Sequence, residues 1–160
     1  MTRSFGIAPA EPAVVEIMTA DTQTDLHALI AGSSLGVLAT IKADGRPQLS
    51  PVTPYYDVDA GIIYVSITAS RAKYANLRRD PRATLEVTSA DGRAWATAEG
   101  VATLIGPGTD PNGPEVEALV GYYRAAAGEH PDWDEYRSAM VSERRVLASI
   151  QVERIYGQRI

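Results

Sequence analysis

GVLATIKADGRPQLSPVTPYYDVDAGIIYVSI, Gly36–Ile67, decides the fold. GVLATI, Gly36–Ile41, is apolar and partly β-branched, which predicts a strand buried on both faces. KADGRP follows, and its Asp44-Gly45 pair is a hairpin signal because both residues tolerate positive φ. Gln48 to Tyr56 alternates as the return strand, with Pro51 and Pro54 confining it to an edge or a bulge because proline donates no ladder hydrogen bond. DVDAG, Asp57–Gly61, is a second turn, and IIYVSI, Ile62–Ile67, a third strand.

The pattern extends in both directions. Upstream, Thr24 or Asp25 caps a short helix through Ala31, ended by Gly32. Downstream, Ser70–Arg79 reads as a helix that stops before Pro81. Strands follow at Ala83–Thr88 and Trp95–Ile105, joined by the Asp-Gly turn of Ser89–Gly92. Gly106–Pro114 is a loop by composition. Val116, Leu119, Val120 and Tyr123 form a helical stripe within Glu115–Ala127, and Trp133–Val141 is a second helix of this half. Arg145–Tyr156 closes the chain with a strand that begins VLASI. Six strands joined mostly by tight turns, with three or four short helices, predict a mainly β (α+β) domain built on a small antiparallel barrel. No repeat or second domain is visible. Residues 1–22 read as an N-terminal arm and 23–160 as the folded domain.

Bulk properties narrow the function. The 160 residues favour one domain, and 45% hydrophobic with 22% charged residues is ordinary for a globular chain. Net charge is −5, which argues against nucleic acid as a partner. Cysteine is absent, which excludes disulfides, thiolate catalysis and Cys-ligated zinc and fits a cytoplasmic location. No apolar run approaches the ~20 residues of a membrane span. Glu11 and Glu16 interrupt the apolar N-terminal patch, so no clear signal peptide is read there.

Self-sufficient catalytic chemistry is hard to find. His27 and His130 lie in different segments, and there is no G-x-S-x-G elbow, P-loop or G-x-G-x-x-G. His130, Asp132, Asp134 and Glu135 are close in sequence, but they sit at a polar helix start where Asp132 reads as a cap, so no metal is expected. An enzyme built from this chain needs a bound cofactor to carry the reaction.

The exception to the acidic character is SRAKYANLRRDPR, Ser70–Arg82. Its last 12 residues hold five cations, Arg71, Lys73, Arg78, Arg79 and Arg82, against Asp80 alone. Ser70 is placed to cap the helix, and Arg71 and Lys73 stand beside its positive end. Cations there oppose the helix dipole, a conflict that a purely structural helix would avoid. A helix N-terminus flanked by an Arg fork and a Lys point charge suits phosphate. The competing reading is a solvated surface helix.

GVLATI at Gly36, DGRPQLS at Asp44, VS at Val65 and SRAKYANLRRDPRA at Ser70 together resemble the pyridoxamine 5′-phosphate oxidase-like split-barrel superfamily, in particular its actinobacterial branch that uses the deazaflavin coenzyme F420. The resemblance continues through AEG at Ala98 and AAAGEHPDW at Ala125 to IYG at Ile155, covering roughly residues 25–157. It implies a six-stranded, FMN-binding-like split barrel that forms a homodimer with cofactor sites at the interface. It further implies that Ser70, Arg71 and Lys73 bind the cofactor phosphate, with Asn76 one turn on. Thr40, Gln48, Ser50 and Ser66 would line the ring and ribityl chain; ordinary strand residues are the other reading. Arg46 would meet a glutamate tail or simply be a hairpin-tip charge, and Trp95 would pack on the ring or in the core. The activity implied is hydride transfer from reduced F420 to a conjugated, electron-poor small molecule such as an enone, quinone or tetrapyrrole. Tyr55, Tyr56, Tyr64 and Tyr74 are candidate proton sources, unranked. An FMN-dependent oxidase or reductase uses the same phosphate motif, and a non-catalytic coenzyme or haem binder is the alternative from another class.

Overall fold

The computed structural model describes residues 20–159. The order is α1 (Ala20–Ala31), β1 (Gly36–Ile41), β2 (Pro47–Val52), β3 (Pro54–Asp57), β4 (Ile62–Thr68), α2 (Ala72–Arg79), β5 (Arg82–Thr88), β6 (Ala94–Ile105), α3 (Pro114–Ala127), α4 (Trp133–Ser142) and β7 (Arg145–Arg159). All seven strands join one antiparallel sheet in the order β2-β1-β5-β6-β7-β4-β3.

The expected return strand, Gln48–Tyr56, is two strands rather than one, which raises the count from six to seven. Thr53 separates β2 from β3, and the two lie at opposite edges of the sheet. Pro51 and Pro54 therefore both fall on edges, where a missing N–H is tolerated. Curling brings these edges together through the chain at Thr53, not through a ladder, so the barrel is split.

Two cores fill the molecule. Across the concave face, Leu38, Leu85, Ala98 and Ile155 stand in register on β1, β5, β6 and β7, and Leu26 and Ile30 of α1 pack in the same core. The second core lies on the other side of β7. There Leu147 meets Val116, Leu119 and Val120 of α3 and Tyr136 and Met140 of α4. Asp132 caps α4, accepting from the Glu135 N–H at 3.0 Å.

Three local expectations are corrected. α1 begins at Ala20, ahead of Thr24 and Asp25, because nothing in Ala20–Gln23 breaks a helix and Asp21 suits its first turn. Residues 20–22 of the expected arm thus belong to α1, while 1–19 lie outside the described residues. β1 is buried on one face only: Leu38 and Thr40 point inward, whereas Val37 is 36% exposed. Among the described residues no layer covers the outer face there. Ser70 does not cap α2; Arg71 holds the N-cap position with no side-chain cap bond.

Long β6 and β7 bend where the register slips at Glu99/Gly100, leaving Glu153 as the extra residue. A Cβ on Gly100 would run into the Gln151 carbonyl. Gly100→Ala is expected to cost about 1–3 kcal/mol, as overpacking does. A urea midpoint indistinguishable from the parent's would show that the bulge relaxes freely.

Candidate functional site

The split between the β1–β2 and β3–β4 edges opens into a cavity of about 430 Å³. Pro51, Val52 and Thr53 form one wall, and Ser66, Ile67 and Thr68 at the end of β4 form another. Arg71 and Lys73 enter from α2, Tyr122 from α3 and Arg145 from the start of β7. Arg145 reaches the cavity because its Cα is the ladder partner of Thr68. An adjoining cleft contains Ser70, Ser142 and Arg144 and shares Thr68, Arg71 and Arg145 with the first.

α2 is fastened in place by one side chain. The Asn76 amide nitrogen donates to Thr40 Oγ1 at 3.1 Å and to Gln48 Oε1 at 2.6 Å. Its oxygen accepts from Arg79 Nη2 at 3.0 Å, and the same guanidinium nitrogen donates to the Ile41 carbonyl at 2.9 Å. Asn76 and Thr40 are only 6% and 1% exposed, so this network is a buried, paired one. One turn earlier, Lys73 Nζ donates to Ser50 Oγ at 3.1 Å.

The cavity's electrostatics are one-sided. Burial is the largest influence on Lys73 and pushes its amine below the ordinary 10.5; Arg71 and Arg145 push the same way. Arg145 is paired with Glu143 at 2.8 Å. Among the described residues, neither Arg71 nor Lys73 has an acidic partner. The uncapped first turn of α2 adds unpaired N–H groups and a positive helix end. Three cations converging without a neutralising carboxylate at two of them is an arrangement that an anion relieves. Arg71 and Arg145 offer planar forks and Lys73 a point charge, alongside the hydroxyls of Ser66 and Thr68, a donor set that fits a phosphate group.

Among the residues singled out from sequence, Ser50, Ser66, Ser70, Arg71 and Lys73 gather around the cavity and its adjoining cleft. Thr40, Gln48 and Asn76 form the supporting network beside it. Arg46 stays exposed at the hairpin tip, its N–H donating to Asp44 Oδ1. Trp95 lies ten residues along β6 from Ile105, the residue level with Leu147 and Ser66, or about 33 Å at strand rise. Within one chain it packs edge-on against Tyr156 instead.

None of the four candidate tyrosines lines the cavity. Tyr56 is buried against His27, whose Nδ1 lies 2.7 Å from its hydroxyl, and Tyr55 stacks on Tyr64. Tyr122, missed from sequence, donates to the Thr53 carbonyl at 2.7 Å. Burial pushes its hydroxyl pKa up, so it keeps its proton at neutral pH. Arg145 was missed as well. The only sequence signal was a pair of arginines, Arg144-Arg145, placed ahead of the apolar VLASI.

The comparisons with known proteins agree with this architecture. The profile of the pyridoxamine 5′-phosphate oxidase family matches residues 22–159, and the chain belongs to that family. It is 27% identical over 133 residues to an F420H(2)-dependent biliverdin reductase of Mycobacterium tuberculosis, covering 83% of this chain and 85% of that one. Among solved structures, the conserved hypothetical protein Rv2991 of M. tuberculosis matches with a TM-score of 0.65 and 26% identity, over 89% of this chain and 86% of the other. A structure described as an F420 reductase matches at 0.62 and 20% identity, over 81% and 94%, which shows a shared fold.

The cluster has a measurable sign. Unfolded, Lys73 titrates near 10.5; folded, it titrates lower. Between those values folding releases a proton, so stability rises with pH through that window. Below it the charged amine's cost is fully present. Lys73→Met is therefore expected to be no less stable than the parent in phosphate-free buffer at pH 7, and to lose most of the rise in melting temperature that added phosphate gives the parent. Equal phosphate stabilisation of both would remove Lys73 from the anion site.

Proposed function

We propose that the chain is an F420-dependent reductase whose coenzyme phosphate sits on Arg71, Lys73 and Arg145. The observation that carries this reading is the cavity with converging cations and, among the described residues, no acidic partner for Arg71 or Lys73. Support for the deazaflavin over other phosphate-bearing cofactors comes from the names of the biliverdin reductase and F420 reductase relatives. When bound, the reduced coenzyme supplies a hydride to a conjugated, electron-poor acceptor: an enone, a quinone or a tetrapyrrole.

The chain's own residues bind and position. Arg71 and Arg145 offer paired donors to phosphate oxygens, and Lys73, steadied by Ser50, adds charge. Ser66 and Thr68 line the path from the phosphate site along β4. Thr40 Oγ1 and Gln48 Oε1 accept from Asn76 and so hold α2 beside the cavity. Tyr122 fixes the Thr53 rim and keeps its proton. Water is the proton source that this arrangement favours.

We read the functional unit as a homodimer. Val37, Leu49 and Val101, 36%, 64% and 39% exposed, share the outer face of β1, β2 and β6. Arg82, Thr84 and Glu86 of β5 lie between them, and a second copy is the cover proposed for this mixed face. A dimer also offers Trp95 a route to the neighbour's cavity that its position in one chain denies it. Among the described residues no helix is long and apolar enough to cross a membrane. A small-molecule substrate is the partner proposed; nucleic acid is not.

Fluorescence titration with F420, run beside FMN, tests the cofactor. Tight, selective F420 binding is expected. Arg71→Ala or Lys73→Ala should weaken it about tenfold to a hundredfold, the loss of one charge-assisted hydrogen bond of roughly 1.5–3 kcal/mol. Preference for FMN would move the chemistry to flavin; binding without turnover on any acceptor would leave a carrier. The assembly has its own test. Light scattering should give a dimer for the parent and a monomer for the Leu49→Arg/Val101→Arg double variant. A monomeric parent would dismiss the dimer.

A further inference from the structure

The chain has two lysines among its fifteen Lys and Arg residues, Lys42 and Lys73. Their settings are opposite. Lys42 lies at the β1–β2 hairpin, exposed and 3.7 Å from Asp44. Lys73 lies in the cavity with its nitrogen on Ser50 Oγ, between Arg71 and Arg145, and without a carboxylate among the described residues. Arginine at position 73 would supply the same charge with more donors. A lysine there supplies something arginine cannot, an amine that can lose its proton and attack carbonyl carbon.

We propose that Lys73 is a covalent modification site for small phosphate-bearing aldehydes, which the Arg71–Arg145 side of the cavity captures and the Lys73 amine condenses with. The neutral amine's lone pair adds to the carbonyl carbon, the nitrogen gives up its two protons, and the carbonyl oxygen takes up two and leaves as water. The product is an imine, and no electrons are exchanged. The inference rests on the anion reading of the cavity and is independent of which cofactor fills it.

Three features support the step. The downward push on the Lys73 pKa leaves more of the amine neutral than an exposed lysine has at the same pH. The two guanidiniums stay charged and do not compete as nucleophiles, so they hold the phosphate while the amine reacts. Capture also raises the local concentration of aldehyde beside one nitrogen. In this step the aldehyde's phosphate is held by Arg71 and Arg145 rather than by all three cations, as proposed for the coenzyme's, because a phosphate bonded to Lys73 itself would keep that amine charged. An adduct at Lys73 would exclude a cofactor phosphate, so such aldehydes act as covalent competitors for the site.

The experiment compares glyceraldehyde 3-phosphate with glyceraldehyde on the full-length chain. Cyanoborohydride reduces any imine to a stable secondary amine, and peptide mass locates it. The phosphate-bearing aldehyde is expected to label Lys73 roughly tenfold or more faster than glyceraldehyde does, one charge-assisted contact's worth of affinity. Lys42 should react with both at similar rates. Inorganic phosphate should protect Lys73 and not Lys42. Arg145→Gln should bring Lys73 labelling down to the glyceraldehyde rate, with unchanged Lys42 labelling and a cooperative melt reporting an intact fold. No adduct at Lys73, equal labelling by both aldehydes, or faster labelling of Lys42 would each overturn the inference. F420 binding with Lys73 inert would defeat this inference alone; labelling without F420 binding would defeat the cofactor reading alone.

Discussion

The side-chain amide of Asn76 is the fastening on which the site depends. α2 has eight residues, too few to be stable by itself, and it starts without a side-chain cap. What keeps it against the sheet is Leu77 in the core and the Asn76 bonds to Thr40 on β1 and Gln48 on β2. A buried amide with every partner in place fixes one orientation; the same amide with a partner missing would carry the full desolvation cost. Lys73 and Arg71, one turn back toward the helix start, are aimed by that orientation.

The split of the barrel is the second constraint, and it follows from two prolines. Neither β2 nor β3 can be an interior strand without forfeiting ladder bonds at Pro51 or Pro54. The chain resolves this by sending them to opposite edges, joined through Thr53. Apolar groups alone would offer neither water nor an anion a partner in the gap that results. Here it is lined by Ser66, Thr68 and charged side chains, and Tyr122 holds the Thr53 carbonyl from across the gap. Edge placement of two strands and the existence of a cavity are thus one fact, seen once from the backbone and once from the site.

Most of the fold was legible because hydrophobic alternation and Asp-Gly turns are local signals. β1 was read to the residue, β4 and β5 nearly so, and the Asp132 cap as found. The Gln48–Tyr56 segment was read as one strand because alternation cannot say when a chain changes edges. The cap expected of Ser70 is not formed, whereas Arg71 and Lys73 were legible because cations at a helix start conflict with the dipole. Arg145 and Tyr122 were not, since both reach the cavity through long-range register: Arg145 by pairing with Thr68, Tyr122 by the docking of α3 over β4. Thr40 and Gln48 stand beside the cavity, where Thr40 Oγ1 and Gln48 Oε1 accept from the Asn76 amide.

The cation cluster makes sense only as a trade between stability and binding. In the free chain, burial and two guanidiniums oppose the charge on Lys73, and the uncapped helix end opposes it again. An acid here would offset that repulsion, as Asp80 does for Arg82, Glu117 for Arg137 and Glu129 for Arg124. Exposed Arg46, Arg78 and Arg93 also lack one among the described residues, but they do not converge on one cavity. Glu143 does this for Arg145 and stops there. Among the described residues Arg71 and Lys73 have no carboxylate, which leaves them to a ligand that brings its own negative charge. Such a ligand then gains twice, from its contacts and from ending the repulsion, and its affinity carries part of what the free protein gave up in stability.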